Sequence, residues 1–214
     1  MHQYLVDTNY AVIQLIELIT AEEIQVSQIQ LACEAKKPQL EFLYKRFMDS
    51  EWNDDVGPIK LQFDYVNWAR EQKEVADLQK DIKQLELSKD IKKDSINVLS
   101  GALLQIAKQG ISKAHGGGDN SPSKVRDNCP DGRSIGSEKL KNVIWCGRNQ
   151  SLHYEEKDVK KLTKDCFANL EASFGAQFSL TLHPQENLAN NVIKILGWKK
   201  YSLYMSDMQS LLPD

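Results

Sequence analysis

No two of the chain's four cysteines form a CxxC pair, and the spacing of Cys33, Cys129, Cys146 and Cys166 fits neither a zinc site nor a disulfide framework. The expectation is reduced thiols in a cytoplasmic protein, with no metal and no cofactor. A long apolar run is also missing. The most apolar stretch near the start, 10–19, is interrupted by Gln14 and Glu17 and has no basic leader. It reads as an amphipathic helix, not as a signal peptide or a membrane span. Basic charge is not in excess: the net charge is -3 and the pI near 5.9, which argues against a protein that coats nucleic acid along its whole length. The glycines at 116–118 are not followed by Gly-Lys-Ser/Thr, so they do not make a phosphate-binding loop. There is no internal repeat and no low-complexity tract.

What remains is a globular balance, 41% hydrophobic and 27% charged over 214 residues, enough for a substantial core. Helical periodicity runs through most of it. The spacing predicts helices over about 8–19, 20–36 and 38–49, with Thr8 and Thr20 as N-caps and Pro38 as a helix start. Residues 52–57 interrupt the pattern. From Pro58 to Lys113, Val75, Leu78, Ile82 and Leu85 recur three and four apart, as do Ile96, Leu99, Leu103 and Ile106. The charged stretch 88–94 between them allows either a helical hairpin or one long helix. A hairpin is favoured, because a bundle must fold back to close its core.

Gly, Pro, Asp and Asn then predict a loop from about 116 to 136. Further helices are expected from Ser137, from Glu155 to Phe174 with acids in its first turn and Gly175 as its stop, and from Pro184 to Leu196 before Gly197. The segment 201–212 reads as a strand or a short helix. The fold class is all-α, with an N-terminal helical extension over 1–56, a helical bundle over 57–176 and a small C-terminal appendage over 177–214.

Charge is uneven along the chain. The window from Lys108 to Arg148 is locally +4 while the rest sums to −7, which suits a local RNA contact, with Lys124, Arg126, Arg133 and Lys141 as its candidate RNA-binding residues. At the end of that window stands Arg148-Asn149-Gln150-Ser151-Leu152-His153, followed by Tyr154-Glu155-Glu156. Arginine is a permanent cation whose fork of donors fits a phosphate, and histidine is the side chain suited to moving protons near neutral pH. Together they suit RNA phosphodiester chemistry without a metal. On a helix Asn149 and His153 share a face, while Arg148 points about a quarter-turn away. A break at Gly147 would let the arginine swing toward the same cleft. Trp145 is a base-stacking candidate or a core residue. The competing structural reading makes His153 a helix cap and pairs Arg148 with Glu155 or Glu156.

The Arg148-Asn149 pair with His153, lying after one amphipathic helix and before another, resembles the signature of the HEPN superfamily across roughly residues 58–175. The resemblance implies an antiparallel helical bundle acting as a homodimer, in a toxin or antiphage defence system, with an antitoxin or defence-complex partner. It implies a metal-independent endoribonuclease in which His153 moves protons, Arg148 holds the scissile phosphate and Asn149 orients its neighbours. Tyr154 stands one residue nearer the histidine than the tyrosine some such toxins carry, so regulation by modification of that tyrosine is not expected. Two other classes compete. One is a non-catalytic helical module binding RNA, a nucleotide or a partner protein. The other is a coiled-coil adaptor built on 58–113, which would be sensitive to charges placed at Leu78 or Ile82.

Overall fold

A computed structural model describes residues 2–49, 58–116, 121–156 and 158–212, with the backbone alone for 47–49 and 58–64. Among the described residues the chain is all-α apart from one two-residue-per-strand hairpin. Its elements are α1 (Gln3–Asp49), α2 (Pro58–His115), α3 (Pro122–Asn128), β1 (Ser134–Ile135), β2 (Glu138–Lys139), α4 (Leu140–His153), α5 (Lys161–Phe174), α6 (Ala189–Leu196) and α7 (Tyr201–Leu211). None of these helices is long and apolar enough, among the described residues, to cross a membrane.

The first helix is continuous where three were expected. Thr8 and Thr20 do not cap anything: their hydroxyls donate back to the carbonyls of Tyr4 and Ile16, each at 2.8 Å. A threonine hydroxyl serves equally as a cap or as an i−4 back-bond, and here the helix is already under way. Pro38 lies inside α1. Its missing N–H and ring clash cost about 3 kcal/mol, which the packing of the segment must offset. The second helix is likewise single. Nothing between Ile59 and Ser100 is Gly or Pro, and the charged stretch 88–94 consists largely of residues a solvated helix face tolerates, with Lys93 and Asp90 3.7 Å apart on it. The expected break at 52–57 and the glycines at 117 and 118 lie outside the described residues.

The chain forms two compact units, Met1–Glu22 with Asp94–Asp214, and Glu23–Lys93. The expected segments 1–56 and 57–176 each take in parts of both, and 177–214 falls within the larger. The smaller unit is an antiparallel helix pair. Lys89 donates to Gln30 at 3.1 Å, Lys36 pairs with Asp81 at 3.0 Å and Arg46 with Glu71 at 2.9 Å. Among the described residues, Cys33, Val75 and Ile82 are buried in it.

The larger unit is built around α4, which packs against α5 and α6 and buries Leu140, Val143, Ile144 and Cys146 completely. Leu103, Leu104, Ala107 and Ile111 of α2 are also fully buried. The tyrosine at position 4 ties the start of α1 to α2, its hydroxyl donating to the Ile106 carbonyl at 2.9 Å. Residues 177–212 belong to this core, supplying Phe178, Val192, Trp198 and Met208 at zero exposure. Local expectations change as well, and α6 starts at Ala189 instead of Pro184. The stretch expected as loop contains α3, opened by a proline in its first turn, which suits the fixed φ of that residue. Residues 134–139 form the hairpin, so α4 starts at Leu140 instead of Ser137. The fifth helix starts at Lys161 instead of Glu155, leaving the acids at 155 and 156 outside it. Gly175 and Gly197 end α5 and α6 as expected, at φ 105° and 71°.

All four cysteines are buried. Burial pushes the Cys129 thiol up to about 11, and a hydrogen bond with Cys146, then burial, raise that of Cys166 further still. The thiolate is the reactive form, so these thiols should be inert in the native protein. Ellman's reagent at pH 8 is expected to react with none of the four within minutes and with all of them in guanidinium. A fast-reacting native thiol would contradict this packing.

Candidate active site

The last turn of α4 carries His153, followed by a turn at Tyr154–Glu155 whose Glu156 N–H closes back on the His153 carbonyl at 3.1 Å. That closure brings the Glu156 carboxylate to the imidazole, with Oε1 2.6 Å from Nδ1. Donation from Nδ1–H leaves Nε2 as the ring nitrogen open to a substrate. The two side chains are 47% and 60% exposed, so the contact adds little to stability. Its consequence is orientation. One turn back, Asn149 shares the face of His153, and both line a cavity of about 330 Å³ whose other walls include Lys160, Thr163, Leu180 and Pro184. Asp158 also lines it.

A second recess of about 170 Å³ shares Asn149, Lys160 and Thr163 with the first and is bounded by Arg126 and Trp145. Asn149 and Thr163, with Lys160 between the two cavities, form the divide. Trp145 is 6% exposed, which makes it core with one edge in the recess.

Arg148 does not join His153 in either cavity. Gly147 does not break α4, because the helix runs through it. Its role is close approach: a Cβ there would lie 3.1 Å from Val192 Cγ1 and 3.3 Å from Leu104 Cδ1. The guanidinium therefore stays on the adjacent face. Its Nε donates to Gln105 Oε1 at 2.5 Å and its Nη1 to Asn149 Oδ1 at 3.1 Å. Partial burial lowers its pKa from the ordinary arginine value. Among the described residues no carboxylate pairs with it, and the expected alternative of a pair with Glu155 or Glu156 does not form. Glu156 goes to His153 and Glu155 bonds Tyr154, raising the pKa of that phenol.

The expected RNA-binding set divides. Arg126 lines the smaller recess, although it also reaches Asp127 at 3.0 Å. Lys124 is exposed on α3. Two members are structural and leave the set. Arg133 makes a two-bond pair with Asp207, at 2.7 and 2.9 Å, and donates to the Leu196 carbonyl at 2.8 Å. Lys141 is held by Asp131 at 2.9 Å and the Cys129 carbonyl at 2.8 Å. Basic residues near a motif are indistinguishable from tie-bars until their acids are placed.

Glu156, Lys160, Gln105 and Lys108 complete the surroundings, and the sequence marks none of them as a site residue. Only Glu156 had a local signal, the three-residue spacing to His153. Among the described residues, no group of three or more His, Cys, Asp or Glu side chains is placed to hold a metal ion. In comparison with known proteins, no family model, no curated protein and no solved structure matches this chain.

Proposed function

We propose that this chain is a metal-independent endoribonuclease that acts as a homodimer on RNA in the cytoplasm, within a toxin or antiphage defence system. One observation carries the reading. His153 is an exposed imidazole whose Nδ1 is held by a carboxylate at 2.6 Å and whose free edge belongs to a cavity of about 330 Å³ shared with Asn149. A histidine oriented in this way by an acid suits general acid–base work. The resemblance of Arg148-Asn149 and His153 to the HEPN signature supports the same assignment.

The chemistry needs only proton transfer and charge stabilisation. The imidazole takes the proton of a ribose 2′-OH as the 2′-oxygen bonds to phosphorus, and the P–O5′ bond breaks. A protonated imidazole then supplies the proton to the leaving 5′-oxygen. Arg148 stabilises the charge on the pentavalent phosphorus. Arg148 and His153 occupy different faces of α4, so two-fold pairing would set the arginine of one copy opposite the histidine of the other.

End-mapping of RNA incubated with the protein in EDTA tests this. The expected products carry 2′,3′-cyclic phosphate and 5′-hydroxyl ends. Intact RNA, or cleavage that needs a divalent ion and leaves 5′-phosphates, would sink the assignment. The separation of Arg148 from the His153 cavity favours the second reading, a non-catalytic module that binds RNA, a nucleotide or a partner protein. Such a module would hold its ligand in the same experiment without producing cyclic ends.

A further inference from the structure

Where α2 passes α4, two short rows of side chains face each other. Gln105 and Lys108 stand three apart on α2, and Trp145 and Arg148 three apart on α4, so each pair shares a helix face. The contacts run between the rows. Arg148 Nε donates to Gln105 Oε1 at 2.5 Å, and Lys108 Nζ sits 4.6 Å from the centroid of the Trp145 ring. Both cations are partly buried. Among the described residues, neither forms an ion pair with a carboxylate.

Electrostatically this is an unfavourable arrangement to build for its own sake. Burial, and then the charge of Arg148, lower the pKa of the Lys108 ammonium from the ordinary lysine value. Elsewhere in this unit Arg126, Arg133 and Lys141 each have an acid. A methionine at position 108 would cover Trp145 with neither the desolvation nor the repulsion. Two half-buried like charges without a counterion describe a site whose neutralising group comes from outside.

We infer that Lys108 and Arg148 form a phosphate-binding clamp, floored by Gln105 and Trp145, and that its ligand is a phosphodiester of an RNA strand. The identity of that ligand rests on the ribonuclease reading, whereas the clamp itself stands on the charge arrangement. Asn149 supplies the connection. It accepts from Arg148 and lines both cavities, so a strand held at the clamp continues toward His153. A free phosphate would use the clamp alone.

The test uses the full chain and a fluorescein-labelled 2′-O-methyl oligoribonucleotide, which has no 2′-OH and cannot be cleaved by this chemistry. Anisotropy titrations over a range of NaCl should show Lys108→Gln binding about tenfold more weakly. The slope of log K against log salt should also fall by about 0.7, the contribution of one single-strand phosphate. Lys108→Arg should bind within about twofold of wild type, since the charge is kept. Lys200→Gln, the same charge change at an exposed lysine just before α7, should bind as wild type does. A second readout separates binding from folding. In low salt without RNA, Lys108→Met should melt at or above the wild-type temperature, since it removes the repulsion and keeps the cover on Trp145. A lysine with a purely structural role would melt lower when replaced and leave affinity unchanged.

Equal oligonucleotide affinities and salt slopes in wild type and Lys108→Gln overturn the proposal. If inorganic phosphate, at matched ionic strength, then still raises the melting temperature of wild type alone, the site takes free anions and not RNA. Absence of cleavage by wild type beside a clear Lys108 dependence of binding would instead remove the nuclease reading and leave the clamp standing.

Discussion

Replacing His153 with alanine should slow RNA cleavage by about 10²- to 10⁴-fold, the range spanned by positioned proton-transfer groups. The fold should be untouched. His153 is the last residue of α4, about half exposed, and its side-chain partner among the described residues is the still more exposed Glu156. Truncation empties no core and strands no buried group, so stability should stay within about 0.5 kcal/mol of wild type. Glu156→Gln isolates the orienting contact. An amide can still accept from Nδ1–H but no longer offsets the positive charge the ring acquires, so a loss of roughly tenfold is expected from the lost charge assistance. Single-turnover rates on a defined oligoribonucleotide in EDTA, beside urea melts of each variant, check both statements. Wild-type cleavage by His153→Ala would remove the histidine from the chemistry altogether.

The ordering His153 above Glu156 was open to sequence reasoning, because residues three apart on a helix or its closing turn meet. It was missed because the acids at 155 and 156 were assigned to the first turn of the next helix. Periodicity does not correct this, since Val159, Leu162, Cys166, Leu170 and Phe174 keep helical spacing back to 159, whereas in the structure Val159 precedes α5 and lines the cavity. Lys108 is a different case. It lies in the basic window from 108 to 148, but its meaning depends on which α4 residues α2 passes. No local pattern encodes that pairing. Arg133 and Lys141 make the same point in reverse, since their acids Asp207 and Asp131 decide that they are structural.

Helix content and most helix ends were legible for a related reason. Stops at Gly175 and Gly197 and the buried face of Val143 and Ile144 arise within one or two turns. Continuity was not legible. Thr8, Thr20, Pro38 and the charged stretch at 88–94 are each compatible with a helix boundary, and whether one forms is settled by what the flanking turns pack against. The seven residues of α3 show the opposite error. Pro122 after Ser121 is a helix-start signal that the surrounding Gly, Pro and Asn outweighed.

Asp207→Ala should destabilise the larger unit by about 2–4 kcal/mol, the sum of a stranded buried donor and a half-exposed ion pair. The carboxylate is 5% exposed and accepts three hydrogen bonds, two from Arg133 and one from the Trp198 indole at 2.8 Å. Trp198 is fully buried, packed edge-on to Tyr204 at 4.9 Å, so its N–H would lose the Asp207 acceptor and could not turn to water. That orphan alone accounts for about 1–3 kcal/mol. The guanidinium is 44% exposed and recovers part of its loss from solvent, which makes the indole the stricter constraint. Asp207→Asn should be nearly as harmful, because three donors converge on the site and an amide turns one acceptor into a fourth donor. Urea midpoints measure this, and a loss under about 1 kcal/mol in either variant would mean that Arg133 is not fixed by this network. The consequence reaches the candidate site. Arg133→Ala should then lower stability, and any loss of RNA affinity it causes should vanish below the urea transition, whereas Lys108→Gln should weaken binding with the fold intact.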